Sequence, residues 1–170
     1  MNLHKQAMFG TTRIISALAV LLFIVVTLNG QEYSKAVGVR GAFGYDSYQY
    51  AGAEFSFQKD VRRIGRSEYN FGWYASQQWD VLKFTGIRQW KIINKRKFHF
   101  YGGVGGGAGL VMYPYAENDF FATVNLNVGV DYTLGFIQLA LDWRPEWTII
   151  NNFGTQLGYD AGFAIRFAIK

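Results

Sequence analysis

The chain has 170 residues, half of them apolar and 18% aromatic, with 20 glycines, two prolines, no cysteine and a formal net charge of +5. That length suits one domain, and the lack of cysteine excludes a disulfide framework, a thiolate metal site and an N-terminal lipidated cysteine. Mean hydropathy near zero means that the apolar residues are interleaved with polar ones, which argues against a helical membrane protein.

Residues 1–30 read as a cleaved signal peptide. Lys5 and Arg13 are basic, Ile14 to Leu28 is an apolar core broken by Ser16 and Thr27, and Leu28-Asn29-Gly30 precedes Gln31-Glu32. The run is shorter than the ~20 residues of a spanning helix. An uncleaved anchor is the alternative, because Leu28 is larger than the usual residue before a cleavage site. Residues 31–170 then form one β domain.

Eight strands are predicted in that domain, each about ten residues long with a period of two. The first, Ala36 to Phe43, sets Val37, Val39 and Phe43 against Gly38, Arg40 and Ala42. After a polar loop at Tyr45 to Gln49, Ala51 to Phe57 turns Phe55 and Phe57 one way and Glu54 and Ser56 the other. The third, Glu68 to Ser76, has Tyr69, Phe71 and Trp73 on one face and Asn70, Gly72 and Tyr74 on the other. Strand four, Val81 to Ile92, has no continuous apolar face, and Gly86 is the expected bulge.

Strand five, Phe98 to Met112, places His99, Tyr101 and the glycines 103, 105, 107 and 109 opposite Phe98, Phe100, Val104 and Leu110. Strand six, Phe121 to Thr133, alternates Val124, Leu126, Val128 and Val130 with Asn125, Asn127, Gly129 and Asp131. Gly135 is the turn to strand seven, Phe136 to Trp147, where Leu139, Leu141 and Trp143 alternate with Gln138, Asp142 and Arg144. Strand eight, Tyr159 to Ile169, sets Tyr159, Phe163, Ile165 and Phe167 against Asp160, Gly162 and Arg166.

Behind a secretory leader, such a series implies an all-β, eight-stranded antiparallel up-and-down transmembrane β-barrel, with the apolar faces toward outer-membrane lipid. An even strand count lets the first and last strands pair, so no backbone edge meets lipid. The connections after strands two and four carry Lys59, Arg62, Arg63, Arg66, Lys91, Lys95, Arg96 and Lys97, whereas the opposite ones carry Asp46, Asp80, Glu117 and Asp119. A periplasmic N-terminus places the basic end against the phospholipid leaflet, where each Lys or Arg is worth ~1 kcal/mol.

The inward faces hold Arg40, Glu54, Asp131, Asp142, Arg144, Asp160 and Arg166. Eight strands enclose only enough room for their own side chains, so these charges must pair with one another. Glu54 and Asp142 are the expected partners of Arg40 and Arg166. A narrow ion path is the alternative to a sealed polar core. The inward glycines of strand five are expected to make room for large side chains from across the lumen. The match of that run to GxGxxA lacks the helix that a phosphate site needs.

Outside residues 1–30 the chain has a single histidine, His99, and no Ser stands at a neighbouring same-face position, so no catalytic residues are expected. Dispersed acids offer no metal ligand set, and no cofactor is implied. The basic turns lack interleaved aromatics, so nucleic acid is not an expected partner. Trp73, Trp143 and Trp147 are expected as interfacial anchors. Pro145, which has no ladder donor, belongs at a rim or a bulge.

Tyr101-Gly102-Gly103 through Gly109, Val128-Gly129-Val130-Asp131-Tyr132-Thr133, Leu141-Asp142-Trp143-Arg144-Pro145 and Ala161-Gly162-Phe163-Ala164-Ile165-Arg166-Phe167 resemble the small outer-membrane β-barrel proteins of Bacteroidota, of OmpX and OmpA-transmembrane-domain architecture. The resemblance implies a monomeric, non-enzymatic outer-membrane protein with a structural or surface-interaction role, inserted by the barrel-assembly machinery. Such chains commonly finish on an aromatic residue; here the end is Ile169-Lys170, and Phe167 is expected to serve instead. Two other readings stay open: a minor pore for small solutes, and a soluble lipocalin-like barrel with its apolar faces turned inward around a ligand.

Overall fold

A computed structural model describes residues 34–46, 48–61, 64–150 and 157–169. The expected leader, Arg62, Arg63 and Lys170 lie outside these residues. Eight strands follow one another: β1 (Lys35–Asp46), β2 (Tyr48–Val61), β3 (Gly65–Ala75), β4 (Asp80–Lys95), β5 (Phe98–Met112), β6 (Asp119–Leu134), β7 (Ile137–Ile150) and β8 (Leu157–Ile169). Each pairs antiparallel with its chain neighbour, and β1 pairs with β8 to close the barrel. Followed from Phe43, the register runs through Ala161, Trp143, Val128, Gly102, Trp90 and Gly65 to Val61. A row that starts near one end of β1 thus finishes at the opposite end of β2. That stagger of about ten residues tilts the strands by roughly 40°.

The alternation sorts the two faces as expected from the sequence. Val39, Phe55, Phe71, Leu141 and Phe163 are exposed on the outside, while Arg40, Glu54, Asn127, Gln138 and Arg166 are buried inside. An aqueous solvent would favour the reverse, so the exterior is built for lipid. The soluble arrangement with an apolar interior is therefore not the one adopted: the lumen is charged and amide-lined.

The strands run further than the apolar pattern suggested, because backbone pairing continues where side chains turn polar. The stretch Tyr45 to Gln49, expected as a loop, is mostly ladder up to Asp46↔Tyr48. Arg66 and Lys91 are likewise strand residues, not loop residues. Gly86 is not a bulge; it pairs regularly with Tyr69 and Gly106. Lacking a Cβ, it lies under the Tyr69 ring, which stacks between Phe57 and Phe84. The irregularity falls between Lys91 and Ile93. It swaps the parity of only the last residues of β4; from Val81 to Trp90 the alternation is regular, and neither face reads as apolar because Gly86 and Arg88 face outward while Val81 and Ile87 are buried inward. Pro145 sits within β7, away from the rim, and the β6–β7 ladder lapses there, between Asn125↔Glu146 and Val128↔Trp143.

Inward glycines make room for side chains on the adjacent strand, not across the lumen. Gln89 lies against Gly103, Tyr101 against Gly129, Tyr74 against Gly52 and the Arg40 guanidinium against Gly162. Outward Gly41 has nothing within 4 Å of an added Cβ. Gly135, at φ 60°, is the turn glycine between β6 and β7. Gly162→Ala should therefore cost about 1–3 kcal/mol, because the guanidinium it displaces is held by carboxylates, whereas Gly41→Ala should stay within about 0.5 kcal/mol. Urea unfolding of the reconstituted barrel measures both.

Candidate functional site

The chemistry-bearing side chains gather in the lumen. Arg40 is fully buried on β1 and donates to Asp142 of β7 at 2.6 Å, to Glu54 of β2 at 3.1 Å and to Asp160 of β8. Arg144 of β7 lies 2.6 Å from Glu68, 3.3 Å from Glu54 and 3.1 Å from Asp142. Arg166 of β8 donates to Glu68 at 3.0 Å and to Ser56 at 2.8 Å. Of the two acids expected for Arg40 and Arg166, Glu54 and Asp142 both serve Arg40; the Arg166 partner is Glu68.

Glu68 is the centre of the lower half of this network. It also accepts from the amides of Gln58 at 2.6 Å, Asn70 at 3.0 Å and Gln89 at 3.0 Å. Arg66 pairs with Asp131 at 2.6 Å and lies 4.2 Å from the centre of the Tyr101 ring. The sequence pattern leaves Arg66 in the connection before the third strand and places Glu68 at that strand's very edge, so neither is among the inward charges it identifies. Both sit at even positions continuing Asn70, Gly72 and Tyr74, which is the signal that would have placed them inside.

His99 meets Asp131 at 2.7 Å through Nδ1. Its nearest functional neighbours are thus the Arg66–Asp131 pair, an arrangement that holds a ring in place but supplies no nucleophile. Higher up, Tyr74 donates its hydroxyl to Glu54, and Lys83 pairs with Glu146 at 2.9 Å. Above these, Tyr74, Trp79, Val81, Val111 and Phe121 form a buried apolar cluster in the mouth farther from residues 35 and 169. It surrounds a recess of about 40 Å³ of solvent-accessible space floored by Lys83 and Glu146. Tyr113 packs on the cluster, and burial together with Asp119 raises its phenol above the usual range.

The three expected tryptophans all face outward: Trp73 is 53% exposed, Trp143 50% and Trp147 38%. Trp73 and Trp147 lie toward the mouth, and Trp73 donates to Asp80 at 3.4 Å. Trp143 is placed midway along β7, in register with Val128 and Ala161, not at a rim. At the other end the outward aromatics are Trp90, Phe98, Tyr132, Phe136 and Phe167.

No protein-family model and no curated protein matches the chain. Solved structures do match in shape. Neisserial surface protein A gives a TM-score of 0.64 at 11% identity, covering 79% of this chain and 96% of that one. The fold is that of the small transmembrane β-barrels. The N-terminal β-barrel domain of Pseudomonas aeruginosa OprF gives 0.58 at 10% identity, with coverages of 82% and 100%. Ail, the attachment invasion locus protein of Yersinia pestis, gives 0.52 at 10% identity, with coverages of 81% and 99%. These neighbours carry the OmpA- and OmpX-like architecture; the likeness to Bacteroidota proteins rests on the sequence motifs alone.

Removing one charge from a buried network strands its partners. Glu68→Gln, which leaves Arg144 and Arg166 short of a carboxylate, should therefore destabilise the barrel by about 3–5 kcal/mol. Pairing it with Arg166→Gln should recover part of that loss. Urea titration followed by tryptophan fluorescence measures both.

Proposed function

We propose that this protein is a monomeric, non-catalytic outer-membrane barrel whose role is structural or surface-interacting and whose lumen does not conduct. One observation carries the reading: the barrel turns its apolar residues outward while the lumen is filled by Arg40, Arg66, Arg144 and Arg166 bonded to acids on other strands. A solute path would have to break several charge-assisted hydrogen bonds at once, and the apolar cluster at Trp79 and Phe121 covers the mouth above them. The structural neighbours are outer-membrane barrels, which supports the location.

The orientation belongs to the same proposal. Residues 35 and 169 lie side by side at one end, with the Arg96-Lys97 turn of the β4–β5 hairpin. A periplasmic position for that end leaves Glu117 and Asp119, in or beside the β5–β6 connection, to face outside. Barrel-assembly machinery and membrane lipids are then the partners.

The full chain should need detergent for extraction and should migrate differently on gels before and after heating. In planar bilayers it should give no steady conductance. Extraction by salt alone would refute the membrane location, and stable conductance steps would refute the sealed lumen. An epitope placed after Glu117 should be labelled on intact cells; labelling only after permeabilisation would reverse the orientation.

A further inference from the structure

The outward register places charges where lipid should be. Lys35 pairs with Lys59, Lys59 with Ser67, and Ser67 with Arg88. These four residues therefore form one cross-strand row on β1–β4, and all share the outward parity of Val37, Phe57, Tyr69 and Phe84. Adjacent strands are about 4.8 Å apart, so Lys35 and Lys59 are immediate neighbours and Arg88 is two strands further on. The next outward row, away from the end that holds residues 35 and 169, is Val37, Phe57, Tyr69 and Gly86, with the Phe57–Tyr69–Phe84 stack upon it. Because the strands tilt, this row climbs from β1 to β4: Lys35 and Lys59 stand at the lower border of the apolar band, while Arg88 starts seven residues inside the end of β4, above Trp90, and reaches back down to the end of β2.

Arg88 is seated there. Its Nη1 donates to Ser67 Oγ at 3.2 Å and its Nη2 to the Val61 carbonyl at 3.5 Å. Gly65 makes the seat, since a Cβ on it would stand 2.7 Å from Nη2. A guanidinium has five N–H donors, and the acceptors used here are neutral. Among the described residues, neither Lys35 nor Lys59 has an ion-pair partner, and the acid on an outward position of these strands is Asp80, at the far end of β4 beside Trp73. The nearby Lys91–Asp60 pair satisfies itself.

The feature is one-sided. On β5–β8 the described outward positions carry no charged side chain, and the same end shows Phe98, Phe100, Tyr132, Phe136 and Phe167. A uniform basic rim would not look like this. Outward cations beside an apolar band, whose nearby acid Asp60 is already held by Lys91, match the phosphate of a lipid headgroup, which guanidinium binds through paired donors.

We propose that Lys35, Lys59 and Arg88 form a binding stripe for the phosphodiester headgroups of anionic glycerophospholipids. The stripe rests on the membrane-spanning reading above, with this end in the phospholipid leaflet. The experiment is native mass spectrometry of the full barrel released from mixed phosphatidylglycerol and phosphatidylcholine. The wild type should retain phosphatidylglycerol over phosphatidylcholine by roughly tenfold or more, given the per-cation attraction expected near anionic lipid. Lys35→Gln/Lys59→Gln/Arg88→Gln should bring the ratio near one. Lys35→Gln/Lys59→Gln, which changes only exposed side chains, should lower it part-way without touching the Arg88 seat. Arg96→Gln/Lys97→Gln, in the turn beyond β4, should lower it by less than either stripe variant.

A wild-type ratio near one, a preference that survives the triple substitution, equal loss in the turn variant, or displacement of phosphatidylglycerol by lipid A at equal concentration would each overturn the stripe. Heat-modifiable migration, run on every variant, reports the barrel independently. If it persists while the preference is absent, the stripe fails and the membrane barrel stands; if the wild type lacks it, the membrane reading itself fails.

Discussion

A buried arginine in a narrow barrel has nowhere to go but to a carboxylate on another strand. Eight strands leave no aqueous channel to solvate it, and an ion taken out of water costs several kcal/mol unless it is paired. Arg40 on β1 reaches acids on β2, β7 and β8, while Arg144 and Arg166 converge from β7 and β8 on Glu68 of β3. Neutralising the lumen and closing the sheet are therefore one event. A one-residue slip of any strand would carry its charges to the lipid face, so the network specifies register more than it adds stability.

The exterior and the lumen are complementary consequences of a single alternation. Outside, the pattern needs only apolar bulk, and the aromatic stack over Gly86 shows how a glycine on that face is covered by its neighbours. Inside, several large side chains are matched by a small residue across the ladder, as Tyr101 is by Gly129 and Gln89 by Gly103. The two ends differ. The mouth holds the buried apolar cluster of Trp79, Val81, Val111 and Phe121, whereas the end near Lys35 has a basic side on β1–β4 and an aromatic side on β5–β8.

The fold was legible because its signal is a period of two, repeated eight times, which survives without any long-range information. Strand ends were less so. Backbone pairing does not require apolar side chains, and Tyr45 to Gln49 continues the ladder in polar sequence. β4 reads poorly because its faces are mixed in composition, with Gly86 and Arg88 outward and Val81 and Ile87 inward. Within the lumen, the Arg40–Glu54 pair could be read from strand adjacency alone, whereas Asp142 reaches Arg40 past the intervening β8. The Arg166–Glu68 pair could not, since it spans the barrel between strands that are not neighbours. Cross-lumen contacts depend on the stagger, which the alternation does not encode.

Which face meets lipid can be read directly from the tryptophans. Trp143 stands outward at mid-strand and Trp79 inward at the mouth. In vesicles of brominated phospholipid, a variant retaining only Trp143 should be strongly quenched by the acyl chains and insensitive to aqueous iodide. A variant retaining only Trp79 should be spared by the bromines. Iodide quenching of Trp143 with bromine quenching of Trp79 would contradict a barrel that turns its apolar face to the membrane and its charges inward.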